Sequence, residues 1–482
     1  MNYDENLTML TDFYEFTMAN GFFEYGYRDR IAYFDMFFRK VPDDGGFAIM
    51  AGVEDLVQYI KNLKFSEQDI EYFRGKHLFC EEFLEYLRTF RFSCDVWAVP
   101  EGTPIFPNEP IVTVRGPAIQ AQFMETMVLL TVNHQSLIAT KANRIVRAAG
   151  GRLVMEFGSR RAQGYNAAIS GARAAYIAGC GGTACTIADK MFGVPALGTM
   201  AHSWVQMFDT EYEAFRVYAE TYPQNCMLLV DTYNVLKSGV PNAIRVFEEV
   251  LLPRGYRPAG IRIDSGDITY LSVKCREMLD AAGFPDCKIC VSNSLDEYII
   301  RDTLNQGAKI DSFGVGERLI TSKSEPVFGG VYKLVAVEQE NGEIIPKIKI
   351  SENVEKITNP GFKDVYRLYE RTTGKAIADV LVLRGETIDD SKPYEIFDPE
   401  HTWKRKLVRN FRARRILEPL FLNGECVYQE RDVKEIQTYC SQQVATLWSE
   451  VCRFENPHRY YVDLSQKLWE LKEGMLKEYS AE

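Results

Sequence analysis

Apolar and polar positions change period along this chain. Between about 152 and 338, short apolar runs recur at 153–157, 194–200, 227–230, 261–263, 289–291, 310–313 and 331–337, with helical stretches between most of them. Residues 163–178 are rich in Ala, and 204–219 are amphipathic. Residues 267–282 carry Ile268, Leu271, Met278 and Leu279 on one face and end at Gly283, a good C-cap. The stretch 295–304 follows Ser294, a residue suited to N-capping. Units of roughly 20–35 residues are what strand–helix repeats need. Seven such strands and a faint one near 181–187 would close a barrel. An open doubly wound sheet is the alternative, and the absence of G-x-G-x-x-G after the first strand lowers it.

The flanks differ, which divides the chain at 1–120, 121–340 and 341–482. The first part holds helical segments and then short strands at 96–99, 104–105 and 111–114. The last begins with β-like segments and ends in a helix candidate at 460–479. Its basic runs at 403–415 read as solvated helix faces or interdomain contacts, because charge runs usually mean surface.

A chain of 482 residues is too long for one simple core, and 46% apolar residues allow a large one. The net charge of −11 argues against a nucleic-acid binder. It also means that anionic substrates would need a local cluster of Arg and Lys. The start, MNYDE, lacks the basic and apolar regions of a secretory signal. No run of about 18 apolar residues suggests a membrane span. The 11 cysteines are scattered and odd in number, which fits reduced thiols in a cytoplasmic protein. Cys287 and Cys290 have metal-knuckle spacing, but they lie in an apparent strand and no second pair completes a ligand set.

The chemistry concentrates at strand ends. Arg262-Ile263-Asp264-Ser265-Gly266-Asp267 closes an apolar run with a tight turn, two carboxylates and a guanidinium. Carboxylates there suit sugar hydroxyls or Mg²⁺, and Arg suits a carboxylate or phosphate. Asp264 or Ser265 as a simple helix cap is the plainer reading. Glu156-Phe157-Gly158-Ser159-Arg160-Arg161 sets an aromatic, a glycine and two Arg at another strand-to-helix turn, a strong phosphate site. Gly198-Thr199-Met200-Ala201-His202-Ser203 places one of five histidines at a third strand end, where it could act as acid, base or nucleophile. Gly314-Val315-Gly316-Glu317-Arg318 gives a Gly-x-Gly loop after a late strand, where barrels commonly bind phosphate. Gly181-Gly182-Thr183 reads as an ordinary loop. Thr11–Ala19 reads as a capped helix, and its aromatics, Tyr14 among them, read as core. Together these residues suggest phosphoryl or phosphoribosyl chemistry on an anionic phosphorylated sugar, with Mg²⁺ and a flat ring.

At these residues the chain resembles the nicotinate phosphoribosyltransferases. The segments TDFYEFTMA, EFGSRRAQG, GTMAHS, RIDSGD, FGVGERL and the K-x-T-x-P-G form at Lys356–Gly361 occur in that family's order. The resemblance implies an irregular (β/α) barrel of the type II phosphoribosyltransferases, flanked by an α+β domain in which the C-terminal segment packs on the N-terminal one. It implies nicotinate and 5-phosphoribosyl 1-diphosphate as substrates, coupled ATP hydrolysis, Mg²⁺, and a homodimer with shared sites. Carried over by position, Phe157 and Tyr14 would sandwich the pyridine ring, Tyr14 coming from the other subunit. Arg262 would bind the carboxylate, with Thr199 nearby. Asp264 and Asp267 would hold ribose hydroxyls or Mg²⁺. Arg160, Gly314, Gly316, Arg318 and Thr358 would hold phosphates, and ATP would phosphorylate His202. Nicotinamide-using relatives carry an Asp after the Gly-Thr turn; Ala184 stands here and would not repel a carboxylate. The competing readings are a nicotinamide or quinolinate phosphoribosyltransferase and a non-catalytic nucleotide-binding barrel. Intact Arg262, Asp264 and His202 argue against the last.

Overall fold

The computed structural model describes residues 6–353 and 356–480, so the reading of the first five residues lies outside them. The architecture is α/β. One compact unit is Ile138–Pro326; the described residues on either side of it form the other.

In Ile138–Pro326 six parallel strands follow the order Gly182–Thr183, Leu153–Glu156, Ser312–Val315, Lys288–Ser292, Gly260–Ile263, Met227–Leu229. Thr183 also bridges Ala196 in parallel. The first strand of the unit therefore pairs with the last, and the others follow in chain order. Among the described residues, the ladder is interrupted between Ala196 and Met227. Ile261, Ile263, Ile289, Val291, Phe313 and Val315 are all buried, as in strands covered on both faces by helices. Helices Tyr165–Ile177, Ile268–Ala281 and Glu297–Asn305 belong to these crossovers.

Four expectations change. The run 194–200 contributes only the bridge at Ala196. The helix expected at 204–219 is two helices, His202–Gln206 and Glu211–Thr221, because the Thr210 hydroxyl accepts from the Glu213 N–H and starts a new one. Asp267 and Asp296 cap the following helices, not Asp264 or Ser294. Val331–Glu338 is no member of the parallel sheet: it pairs antiparallel with Ile31–Phe37 in the other unit, which moves the boundary expected at 340. The burial of that run alternates, with Lys333 and Leu334 partly exposed, as in an antiparallel strand with one solvated face.

The other unit carries a seven-stranded sheet in the order Ile344–Pro346, Val331–Glu338, Ile31–Phe37, Val112–Pro117, Asp95–Ala98, Glu418–Leu422, Glu425–Cys426, every neighbouring pair antiparallel. N-terminal and C-terminal segments thus share one ladder. A four-stranded sheet orders Phe411–Arg415, Lys363–Glu370, Ala376–Leu383 and Tyr461–Leu464. The basic runs fall on strands Arg405–Val408 and Phe411–Arg415 rather than on helices, with Arg415 near Asp364 and Arg414 near Glu418. The final helix is Gln466–Ser480, behind the strand Tyr461–Leu464. No described helix is long and apolar enough to cross a membrane.

Candidate active site

Because all six strands of Ile138–Pro326 run parallel, the segments after them emerge at one sheet edge, where α/β proteins place ligands. Arg262 sits on Gly260–Ile263, half-buried. Its Nη1 donates to the Thr199 hydroxyl, and its Nε is buried without a hydrogen-bond partner. The guanidinium is thus oriented while keeping a donor in reserve.

Asp264 follows directly. Its N–H donates to Asp231 Oδ2 at 3.0 Å, and its Oδ1 accepts from the Ser292 hydroxyl. Ser265 Oγ donates to the same Asp231 oxygen at 2.6 Å. The turn then reverses at Gly266, whose φ of 83° disfavours any side chain. Asp267 accepts from the Tyr270 N–H at 2.8 Å, so it serves as a cap.

His202 opens its short helix. Nδ1 lies 3.1 Å from Thr232 Oγ1, while Nε2 faces two carboxylates, Asp231 Oδ1 at 3.9 Å and Asp264 Oδ2 at 3.8 Å. The Asp231 side chain is 1% exposed and its Oδ1 has no hydrogen-bond partner. Buried carboxylate oxygens are rarely left so without a ligand or cation nearby.

Phe157 extends from the first strand through its N–H to Val315 O (2.8 Å). Its ring lies over Gly314: a Cβ there would sit 2.5 Å from Phe157 Cδ2. Gly314 is therefore the floor under an aromatic shelf, with Ser292 beside it. Glu156 organises the next turn, accepting from the Gly158 N–H and from Thr183 Oγ1 (2.6 Å). Burial raises its carboxyl above the usual range, opposed by those two hydrogen bonds. Arg160 is exposed on the turn Ser159–Arg161. Gly316 opens the turn Glu317–Ile320, and Arg318 Nη1 donates to Asp296. Ala184 is exposed after Gly182–Thr183, which is a paired strand and not a plain loop.

His202 and Asp264 thus meet at Asp231, Asp264 also bonds Ser292, Thr199 holds Arg262 two residues before Asp264, and Phe157 and Ser292 both lie against Gly314. Tyr14 and Thr358 belong to the other unit. Tyr14 is 45% exposed on Phe13–Glu24, not core. Burial and the neighbouring Glu125 carboxylate both raise its phenol. Thr358 is buried, and its hydroxyl accepts from the Lys349 N–H. Cys287 and Cys290 are buried and, like the other nine cysteines, form no disulfide among the described residues. Asp231, Thr232 and Ser292 escaped notice although they follow the runs 227–230 and 289–291. The strand-end rule applied to every run would have found them.

Residues 9–133 match the model of the nicotinate phosphoribosyltransferase (NAPRTase) N-terminal domain, and residues 362–472 that of the nicotinate phosphoribosyltransferase C-terminal domain. The chain is 43% identical over 469 residues to the nicotinate phosphoribosyltransferase of Bacillus subtilis (strain 168), covering 97% of this chain and 95% of that protein. Its identity to the Caenorhabditis elegans nicotinate phosphoribosyltransferase is 34%, with 98% and 94% covered. The crystal structure of human nicotinic acid phosphoribosyltransferase superposes with a TM-score of 0.83 at 27% identity, covering 97% of this chain and all of that one. With such identity over nearly its whole length, the chain belongs to the nicotinate phosphoribosyltransferase family.

Proposed function

We propose that the chain joins nicotinate to 5-phosphoribosyl 1-diphosphate, giving nicotinate mononucleotide and diphosphate, with coupled ATP hydrolysis through a phosphorylated His202, in salvage toward NAD. The observation that carries this reading is the single sheet edge on which an oriented guanidinium, an aromatic shelf and a His facing two Asp are gathered. The cyclic strand order supports an open, irregular barrel.

Arg262 holds the nicotinate carboxylate, with Nε and the Thr199-bound Nη1 as donors, and the pyridine lies on Phe157. Tyr14 of a second copy covers the other face. The exposed Leu10, Phe13, Tyr14, Met18 and Tyr25 support a homodimer that shares this segment. Asp264 takes the ribose hydroxyls. Arg160, Arg318 and the Gly316 backbone take phosphates. Thr358, on the other unit, accepts from the Lys349 N–H and keeps its own hydroxyl proton to donate to a phosphate, and Gly314 packs under Phe157.

The pyridine nitrogen attacks C1 of the ribose, the bond from C1 to the diphosphate oxygen breaks, and diphosphate leaves with the electron pair. Positioning and charge carry most of the acceleration. Asp264 and the unpartnered Asp231 oxygen would hold a Mg²⁺ ion, since oxygen donors of this kind suit it. Bound, it would neutralise charge on the departing diphosphate. His202 Nε2, left open by the Nδ1–Thr232 contact, attacks the γ-phosphorus of ATP and ADP departs. Thiols outside any disulfide support a cytoplasmic setting. An uncharged Ala184 favours nicotinate over nicotinamide.

Mixing the protein with 5-phosphoribosyl 1-diphosphate and each of nicotinate, nicotinamide and quinolinate tests the reading. Diphosphate should appear fastest with nicotinate. No release with any of them excludes the activity, and preference for nicotinamide or quinolinate selects the alternative enzyme. Arg262→Lys keeps the charge and loses the fork, so the KM for nicotinate should rise about tenfold. A wild-type KM would remove Arg262 from carboxylate recognition.

A further inference from the structure

Glu156 ends the strand Leu153–Glu156 and pairs with Thr183 on one side and Val315 on the other, so three segments that leave the sheet edge meet at it. The residue is fully buried. Its Oε1 accepts from the Gly158 N–H, and its Oε2 accepts from the Thr183 hydroxyl at 2.6 Å. A Cβ on Gly158 would sit 2.8 Å from that Oε1 and 2.6 Å from Ile320 Cβ, so the turn closes tightly on the carboxylate. Among the described residues no cation shares the charge: burial pushes the carboxyl up, and only the two hydrogen bonds oppose it. Burying a carboxyl without a cation costs stability, and a neutral side chain of the same size would cost the fold less. What the carboxylate adds is two acceptors, one aimed at each turn.

Each acceptor steadies the backbone beside a residue assigned above to pyridine recognition. Phe157 is held at both flanks: its own N–H donates to Val315 O at 2.8 Å, and the next N–H, of Gly158, donates to Glu156. Ala184 is held in the same way. Its own N–H donates to the Glu156 backbone O at 2.8 Å, and the next N–H, of Cys185, donates to Thr183 Oγ1 at 2.9 Å. That hydroxyl accepts from Cys185 and donates to Glu156, so the Ala184 turn also ends on the carboxylate. A carboxamide has one acceptor oxygen and cannot accept from both turns. We propose that Glu156 is a positioning residue for pyridine recognition: it fixes the Phe157 ring and the Ala184 backbone against each other, and so sets the preference for nicotinate over nicotinamide. It acts through these two residues without touching substrate, and it rests on the reading in which the pyridine lies on Phe157 and Ala184 governs the choice of ring.

The test is steady-state kinetics of the full-length protein with nicotinate and with nicotinamide. Glu156→Gln keeps the size and loses one acceptor. The KM for nicotinate should rise about tenfold, and the ratio of kcat/KM for nicotinate to that for nicotinamide should fall about as much, well inside the loss that an ångström of misplacement can cause. The kcat with nicotinate should change far less. Thr183→Val, which keeps the shape and removes the donor, should shift both values in the same direction. Thr183→Ser, which keeps the hydroxyl, should return them toward wild type, and this pair carries the test if the Glu156 variant does not fold. A role in stability alone would lower the melting temperature and the amount of active protein while KM and the ratio stayed at wild-type values. That result overturns the proposal, as does a Thr183→Ser variant as impaired as Thr183→Val. Diphosphate release by the wild type with nicotinate is measured alongside. Its absence removes the reading beneath the proposal, whereas an active wild type with unshifted variants removes the positioning role alone.

Discussion

Alanine in place of His202 is expected to eliminate ATP hydrolysis and to leave a slow, ATP-independent transfer to nicotinate. The ring is the only imidazole in Ile138–Pro326; His77, His134, His401 and His458 all belong to the other unit, so no second histidine of that unit can accept the phosphoryl group. Its Nδ1 is held by Thr232, which fixes the ring with Nε2 toward Asp231 and Asp264. A phosphoryl group on Nε2 would add nearly two negative charges beside those carboxylates. That repulsion would rearrange the cations near the ribose and phosphates, which is how hydrolysis can be coupled to tighter substrate binding. ADP release measured with nicotinate and 5-phosphoribosyl 1-diphosphate present should fall more than about a hundredfold, the scale of losing an essential nucleophile. ATP should also cease to lower the KM of either substrate. A variant in which ATP still lowers those constants would show that the coupling runs through another residue.

Much of this site could be read from the residues because each strand of Ile138–Pro326 is short, apolar and followed at once by polar residues. Phe157, Asp264 and Gly316 directly follow such strands, Arg262 lies within one, and Thr199 and His202 come shortly after the bridge at Ala196; the parallel ladder brings these segments to one edge. Three kinds of information were not local. Val331–Glu338 has the length and apolarity of a barrel strand, but its partner Ile31–Phe37 lies some three hundred residues away, and only pairing decides which sheet takes it. The partner of Asp264 is set likewise: Asp231 is 33 residues distant and nothing in Val230-Asp231-Thr232 by itself distinguishes an orienting carboxylate from a loop aspartate. Capping was misplaced by a few residues, since Asp264, Ser265 and Asp267 are all competent caps and the choice depends on where Gly266 reverses the chain.

Asp264→Asn should reduce kcat by about 10²–10³, the range found when one preorganised charged or polar group is removed from a transition state. The substitution keeps size and shape. The backbone N–H would still reach Asp231 Oδ2, so the Ser265-Gly266 turn should persist and the melting temperature should change little. What disappears is the negative charge whose Oδ1 is fixed by Ser292 and whose Oδ2 faces His202. As C1 of the ribose gains positive character, a carboxylate near the sugar stabilises it and an amide does not. Arg262 is oriented independently through Thr199, so the KM for nicotinate should stay within a few-fold of wild type. The neighbouring Asp267 supplies the contrast. Asp267→Ala deletes the acceptor of the Tyr270 N–H and should cost about 1 kcal/mol of stability while kcat is preserved. Steady-state kinetics and thermal melts of the two variants separate the roles. A kcat near wild type in Asp264→Asn, or a collapse of kcat in well-folded Asp267→Ala, would reverse the assignment of catalysis to the first carboxylate and capping to the second.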